Sequence, residues 1–189
     1  MSESGDAFRG LPATSWAVLG MLTYGEELTG NDLKKWADCN LGFFYWSPSI
    51  SQVYAELKKL ESINLVESRV VSAPGVRGKR LYSITQAGTD AVRTWSREAP
   101  VEVTVLKHGV MLRLWMGHLN EPGRLKALVQ AHIANVEVQL RRAKLHADHA
   151  GNDPVWSFPG MTLRWAERYF SSEIKLAREL LEDIDRMAG

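Results

Sequence analysis

The stretch Ser47-Pro48-Ser49-Ile50-Ser51-Gln52-Val53-Tyr54 carries hydrogen-bonding side chains at Ser47, Ser49, Ser51, Gln52 and Tyr54. These are short hydroxyls, one amide and one phenol. On a helix that enters a groove of a duplex, such groups let the backbone come close and still reach base edges, and a glutamine can pair bidentately with adenine. Lys58 and Lys59 follow one turn or more later, where phosphates would pass. Serines also start helices in every kind of protein, so this segment acquires meaning only from its neighbours. A second set is Arg77, Lys79 and Arg80 around Gly78, in a stretch from Ser72 to Ala87 that contains no acid. Three bases flanking a glycine can bind phosphates or enter a minor groove.

Other constellations lead nowhere catalytic. His146, Asp148 and His149 have metal-ligand types, but two histidines three apart at a helix end read as an exposed surface pair. His132, on an apolar face, reads as a satisfied core histidine. Cys39 is the single cysteine, so no intramolecular disulfide can form. The glycines are not grouped into a phosphate loop, Gly-x-Ser-x-Gly is absent, and no acid pair stands out. An enzyme on a helical bundle therefore lacks its acid, base or nucleophile set, and neither a metal nor a cofactor is expected.

The elements that must position the polar segment can be read in order. Residues 11–24 predict a helix, with Pro12 in the first turn, Thr14 or Ser15 as cap, and Trp16, Val18, Leu19 and Leu22 on one face. Thr29 caps a second helix to about Asn40, with Leu33, Trp36 and Ala37 inward. The third helix starts at Ser47 or Ser49, and Ser49 with Gln52 has the spacing of a capping box. Ile50, Val53, Leu57, Leu60 and Ile63 form its apolar side, ending near Asn64. The period then changes to two over Val66–Val70, followed by a turn-rich loop at 72–78 and a returning strand at Leu81–Ile84. Thr85 caps a fourth helix with Ala87, Ala91, Val92 and Trp95 inward, and Ala99-Pro100 closes the unit. Three helices, a hairpin and a helix are the layout of a winged helix-turn-helix.

The remainder reads as helical: 104–119, 124–149 and 160–188. In the last helix Leu163, Ala166, Phe170, Ile174, Ala177, Leu181 and Ile184 recur at heptad-like spacing. A second stripe of Trp165, Tyr169, Leu176, Leu180 and Met187 leaves apolar residues over more than half the circumference. One stripe is expected to pack on residues 124–149. The other calls for a second copy of the chain, with Leu163, Phe170, Ile174, Ala177, Leu181 and Ile184 at the dimer interface.

Apolar residues make up 45% and charged residues 24% of the 189, the range of a globular protein. Net charge is only +1, so any polyanion-binding surface must come from distribution. Residues 41–100 hold eight bases against five acids, whereas 121–189 balance at ten each. Met1–Gly10 is polar, without a basic head leading into an apolar run, and is expected to be a short arm and not a secretory signal. No apolar run is long enough to span a membrane. A cytoplasmic location is expected.

From Leu11 to Trp95 the chain resembles the PadR family of transcriptional regulators. The resemblance runs through Leu11-Pro12-Ala13-Thr14-Ser15-Trp16-Ala17-Val18-Leu19-Gly20-Met21-Leu22, through Glu27-Leu28-Thr29-Gly30-Asn31-Asp32-Leu33, and through Ser51-Gln52-Val53-Tyr54-Ala55-Glu56-Leu57-Lys58-Lys59-Leu60-Glu61. It continues in Lys79-Arg80-Leu81-Tyr82-Ser83-Ile84-Thr85-Gln86-Ala87-Gly88. Asn64 stands near the place of a family glycine, and asparagine tolerates the left-handed conformation. The resemblance implies a mainly α fold with a small β-hairpin wing. It implies a flexible arm at 1–10, a DNA-binding domain at 11–100 and a helical dimerisation domain at 101–189. It implies a homodimeric, sequence-specific regulator, a repressor, on a palindromic site of double-stranded DNA. The DNA-facing residues would be Thr29, Ser47, Ser49, Ser51, Gln52, Tyr54, Lys58, Lys59, Arg77, Lys79 and Arg80. Some family members bind flat aromatic effectors, which makes Trp95, Trp115 and Trp165, among seven tryptophans, a candidate effector pocket. Filling of core and interface is the plainer use of those rings. Two alternatives stay open: a MarR-like winged-helix regulator, whose dimer helices would lie at both chain ends, and a winged-helix interaction module that no longer meets DNA.

Overall fold

The computed structural model describes residues 10–25, 27–72, 78–151 and 154–188. The chain forms two compact units, Met1–Glu102 and Val103–Gly189. Each is described by itself.

The first unit holds α1 (Ala13–Leu22), α2 (Gly30–Cys39), α3 (Ile50–Ser62), β1 (Val66–Val71), β2 (Lys79–Ile84) and α4 (Gln86–Glu98). The expected mainly α fold with an antiparallel hairpin is borne out. Its core is the inward side of every element: Val18, Leu19, Leu22, Leu33, Ala37, Val53, Leu57, Leu60, Leu65 and Val66 are fully or almost fully buried. The caps of α2, α3 and α4 are the expected Thr29, Ser49 and Thr85. The first helix departs from expectation. Pro12 occupies the cap position without a side-chain bond, and Thr14 and Ser15 are buried inside the helix. The Ser15 hydroxyl donates to the Glu56 carboxylate on α3 instead. An inward hydroxyl must find an acceptor, and that need outranks capping here.

The passage from α3 into the hairpin turns on Asn64, whose φ is +58°. The Asn64 N–H donates to the Glu61 carbonyl at 3.1 Å and the Leu65 N–H to the Leu60 carbonyl at 3.0 Å. This is a Schellman stop with asparagine in the left-handed position. The strands pair from Val66 opposite Ile84 to Val71 opposite Lys79. Leu28 adds a bridge on the far side of β2, exchanging both backbone hydrogen bonds with Tyr82 at 3.0 and 2.9 Å.

The second unit holds α5 (Gly109–Trp115), α6 (Pro122–Ala150) and α7 (Ser157–Ala188). The helix expected over 104–119 is shorter. It begins only at Gly109, and Gly117–Leu119 is a separate turn of tighter helix. Val101, Val103 and Val105 alternate with Glu102 and Thr104, and β-branched residues so placed disfavour helix. The start is set by His108, whose Nδ1 accepts the Met111 N–H at 3.2 Å. The helices α6 and α7 form an antiparallel hairpin, as Lys126–Asp185, Glu137–Arg178 and Lys144–Glu167 ion pairs across it require. Small residues (Ala143, Ala147, Ala166, Ala177) line its buried seam beside Val129, Val136, Leu163, Ile174 and Ile184.

That seam corrects one expectation. Leu163, Ile174, Ala177 and Ile184, expected to face a second chain, are buried within this one; Phe170 and Leu181 are partly buried. Val129 of α6 packs with Ala177 and Ile184, and Leu181 lies against the same cluster. A long partner helix in the same chain reaches the heptad-like stripe first. The stripe left outward contains Trp165, Leu176 and Met187, all exposed. No helix among the described residues is long and apolar enough to cross a membrane.

One glycine of α4 tests this packing. A Cβ on Gly88 would lie 2.2 Å from the Leu65 carbonyl oxygen and 2.7 Å from Ile84 Cγ1. Helix propensity alone favours alanine over glycine by about 1 kcal/mol. We expect the clash to win, so that Gly88→Ala destabilises the chain by roughly 1–3 kcal/mol. Chemical denaturation of the two proteins checks the sign, and equal or greater stability of the variant would contradict the contact.

Candidate nucleic-acid interface

The helix α3 has a buried and an exposed side, although Ile50 and Ile63, expected inward at its two ends, are exposed. Val53, Leu57 and Leu60 are fully buried, while Ser51, Gln52, Tyr54, Lys58 and Lys59 are exposed. Its start is a complete capping box: Ser49 Oγ accepts the Gln52 N–H at 3.2 Å, and Gln52 Oε1 accepts the Ser49 N–H at 2.8 Å. This bears directly on the proposed reader. A bidentate pair with adenine uses both ends of the amide, yet the Gln52 oxygen is already turned back to the cap. Reading a base that way would mean releasing the box. Ser51 carries no such bond among the described contacts and lies on the outward side.

Ser47 is tied down more firmly. Its hydroxyl donates to Asp38 Oδ1 at 2.6 Å and accepts from Lys34 Nζ at 3.2 Å, and Lys34 and Asp38 form an ion pair along α2. The residue expected to contact DNA thus joins the segment before α3 to α2. Thr29 is spent likewise. Its hydroxyl donates to Asp32 Oδ2 at 2.6 Å and accepts the Asp32 N–H at 3.2 Å. Hydrogen bonds from the Thr29 side chain and amide hold the Asp32 carboxyl below its ordinary range against a smaller effect of burial.

Tyr54 is half-exposed over the start of α2. A Cβ on Gly30 would stand 2.6 Å from its ring, so glycine makes the room. Nothing in the spacing of Gly30 announced this. On the hairpin, Lys79 is exposed at the start of β2. Arg80 lies 3.8 Å from Glu61, which also accepts the Ser68 hydroxyl at 2.5 Å. Its charge is therefore shared. Arg77 lies outside the described residues. Lys58, Lys59 and Lys79 make no ion pair with a described residue, which leaves three cations along α3 and the hairpin. Arg69, not singled out by the sequence, forks onto Glu27, with Nε–Oε1 at 2.6 Å.

The tryptophans separate between the units. Trp95 stacks on Trp16 with centroids 5.0 Å apart and planes 9° from parallel. Trp165 stacks on Tyr169 at 5.4 Å and 11°, and Trp165 and Trp115 are 52% and 81% exposed. In the second unit the histidine read as a core residue has company. His132 Nε2 and His108 Nε2 each lie 2.8 Å from Glu173 Oε1. Burial pushes the Glu173 carboxyl up, but the two histidine hydrogen bonds outweigh it and the net direction is down. The three residues are 24 to 65 positions apart, so only the helix packing brings them together.

No family model matches the chain. The negative transcriptional regulator PadR of Bacillus subtilis is 35% identical over 101 residues, 53% of this chain and 54% of that protein. The sequence match spans about half the length of the curated relatives. Solved structures extend the likeness in fold. Bacillus subtilis PadR in complex with operator DNA superposes with a TM-score of 0.79 at 21% identity, covering 92% of this chain and 99% of that one. The same protein, in complex with p-coumaric acid, gives 0.73 at 22% identity, covering 92% of this chain and 99% of that one. The Vibrio cholerae virulence activator AphA gives 0.70 at 22% identity over 93% of this chain and all of that one. By sequence over about half its length and by fold over nearly all of it, the chain is similar to PadR-type transcriptional regulators.

Proposed function

We propose that this protein is a sequence-specific DNA-binding transcriptional regulator, a repressor, acting in the cytoplasm as a homodimer on a palindromic site. The observation that carries the reading is the two-sided α3. Its inner side is sealed into the core while its outer side presents Ser51, Gln52, Tyr54, Lys58 and Lys59, with Lys79 on the adjoining hairpin. That is the division a recognition helix needs: apolar anchorage behind, hydrogen bonds and phosphate charge in front. Ser49, Ser47 and Thr29 serve this surface by fixing its geometry, and Arg77 and Arg80 supplement its charge. The operator complex of Bacillus subtilis PadR supports the same role for a chain of this fold. As a binding protein it needs no catalytic set, so an enzymatic role is not proposed.

The dimer is assigned to the outward stripe of α7: Trp165, Leu176 and Met187, with the partly buried Tyr169 beside them. An exposed run of large apolar side chains on a 32-residue helix marks an interaction surface. A second copy covers it with its own equivalent stripe. A small aromatic effector is proposed from the same exposure of Trp115 and Trp165 and from the p-coumaric acid complex of the relative.

Changing Lys58, Lys59 and Lys79 together to alanine should weaken binding to random-sequence duplex and operator alike. The slope of log affinity against log salt should fall by up to about 5, one counterion-release increment for each of the three lysines lost from both protomers. Fluorescence anisotropy at several salt concentrations measures this, and an unaltered slope would remove these lysines from the interface. Gln52→Ala should relax discrimination at one position of each half-site, by about 1–3 kcal/mol if the amide leaves its box to read a base. Selection from a randomised DNA pool decides, and an unchanged preference would restrict Gln52 to capping. Trp165→Glu with Leu176→Glu should give a folded monomer with little operator binding. Sedimentation checks it, and persistence of the dimer would move the interface elsewhere. Cutting the chain after residue 155 is a poorer test, because it also strips α6 of α7.

A further inference from the structure

We propose that His108, His132 and Glu173 form a binding site for one divalent transition-metal ion of the zinc class. Nothing in the spacing of these residues announces a metal. The structure brings the three together from three elements: the cap of α5, the first half of α6 and the middle of α7. One ligand atom from each lies within 4.8 Å of the others, and both His Nε2 atoms are 2.8 Å from Glu173 Oε1. The side chains are 13%, 18% and 15% exposed, dry enough to strengthen a bond and open enough to admit an ion.

The donor chemistry selects the class of ion. Two imidazoles and a carboxylate suit zinc, cobalt, nickel or iron(II), whereas calcium and magnesium prefer oxygen throughout. With bonds of about 2.0–2.2 Å and tetrahedral angles, ligand atoms stand about 3.4 Å apart. Each Glu–His spacing, 2.8 Å, therefore has to open by roughly 0.6 Å. Three protein ligands leave a fourth position for water or another donor.

The metal-free arrangement also fixes a tautomer. His108 Nδ1 accepts the Met111 N–H, so its Nε2 carries the proton and donates to Glu173. An ion at Nε2 displaces the proton from that nitrogen; the proton moves to Nδ1, which can then no longer accept from Met111. Metal binding is thus coupled to release of the first turn of α5, with no net proton change in a neutral imidazole. A ligating histidine typically donates its second N–H outward, and Nδ1–H would turn toward solvent or a carbonyl.

The test uses the full-length chain freed of metal by chelator dialysis and titrated with Co²⁺, whose visible absorption reports tetrahedral nitrogen–oxygen coordination. One equivalent per chain should bind, and Zn²⁺ should displace it. His132→Gln and Glu173→Gln should each weaken binding at least about 100-fold, since even outer-shell changes cost 10–100-fold. The double variant His146→Ala, His149→Ala should bind as the unmodified chain does. Hydrogen exchange on the unmodified chain gives a second readout that does not depend on a variant folding: the Met111 amide should exchange faster with Zn²⁺ than without. The proposal is overturned if no stoichiometric binding is seen, if binding survives both ligand changes, or if it is lost with His146 and His149. Unchanged protection of Met111 in the metal-loaded chain would overturn the coupling to α5.

Discussion

The backbone of Leu65 is held from both sides. Its N–H closes the stop of α3 on Leu60, and its carbonyl accepts the Thr85 N–H at 3.1 Å. The Thr85 hydroxyl donates to the neighbouring Asn64 carbonyl at 2.8 Å and caps α4 through the Gly88 N–H at 3.0 Å. Gly88 lies so close to the same Leu65 carbonyl that no side chain fits between them. One junction therefore sets where α3 ends, where the hairpin begins and where α4 departs. The angle between the outward side of α3 and the hairpin follows from it, because Val66, the next residue, already pairs with Ile84. If this knot loosened, the polar side of α3 and the cation on β2 would lose their common frame.

Much of this frame was legible in the residues. Ser49 with Gln52, Thr29 and Thr85 announced three helix starts correctly, because a capping hydroxyl acts within four residues of itself. The period change at Val66 announced the hairpin for the same local reason. What failed was non-local. Thr14 and Ser15 looked like caps, and only the approach of Glu56 from 41 residues away explains why Ser15 is inward. Ser47 looked like a reader until Asp38 and Lys34 claimed it. Spacing showed two stripes on α7 but not which one α6 would occupy. The register of two helices depends on both, and the alanines at 143, 147, 166 and 177 chose the close-packed side. The approach of His108, His132 and Glu173 left no trace in the sequence at all.

The polar residues of the candidate interface divide their labour. Those nearest the start of α3 and α2 are consumed in caps and ties, which satisfy backbone donors and lock the segment between the helices. Those a turn later are outward. Such preorganisation lowers the entropy lost when a ligand orders the surface. It also means that alanine variants of Ser47, Ser49 or Thr29 act through rigidity as well as through any contact, so that a loss of binding in them has two causes to be separated.

The small sheet has two edges with different fates. Leu28 occupies the far side of β2, and the Arg69–Glu27 fork fastens the segment before Leu28 to β1. The outer side of β1 has no neighbouring strand among the described residues, and Val70 and Val71 are exposed near its end. An open strand with apolar side chains is a template for pairing with another chain. Glu67 and Arg69 alternate along it, and a charge at every second position sets a cost on stacking like upon like. Charged residues at alternate positions of an open strand guard against edge-to-edge pairing, and Glu67 and Arg69 hold those positions on β1.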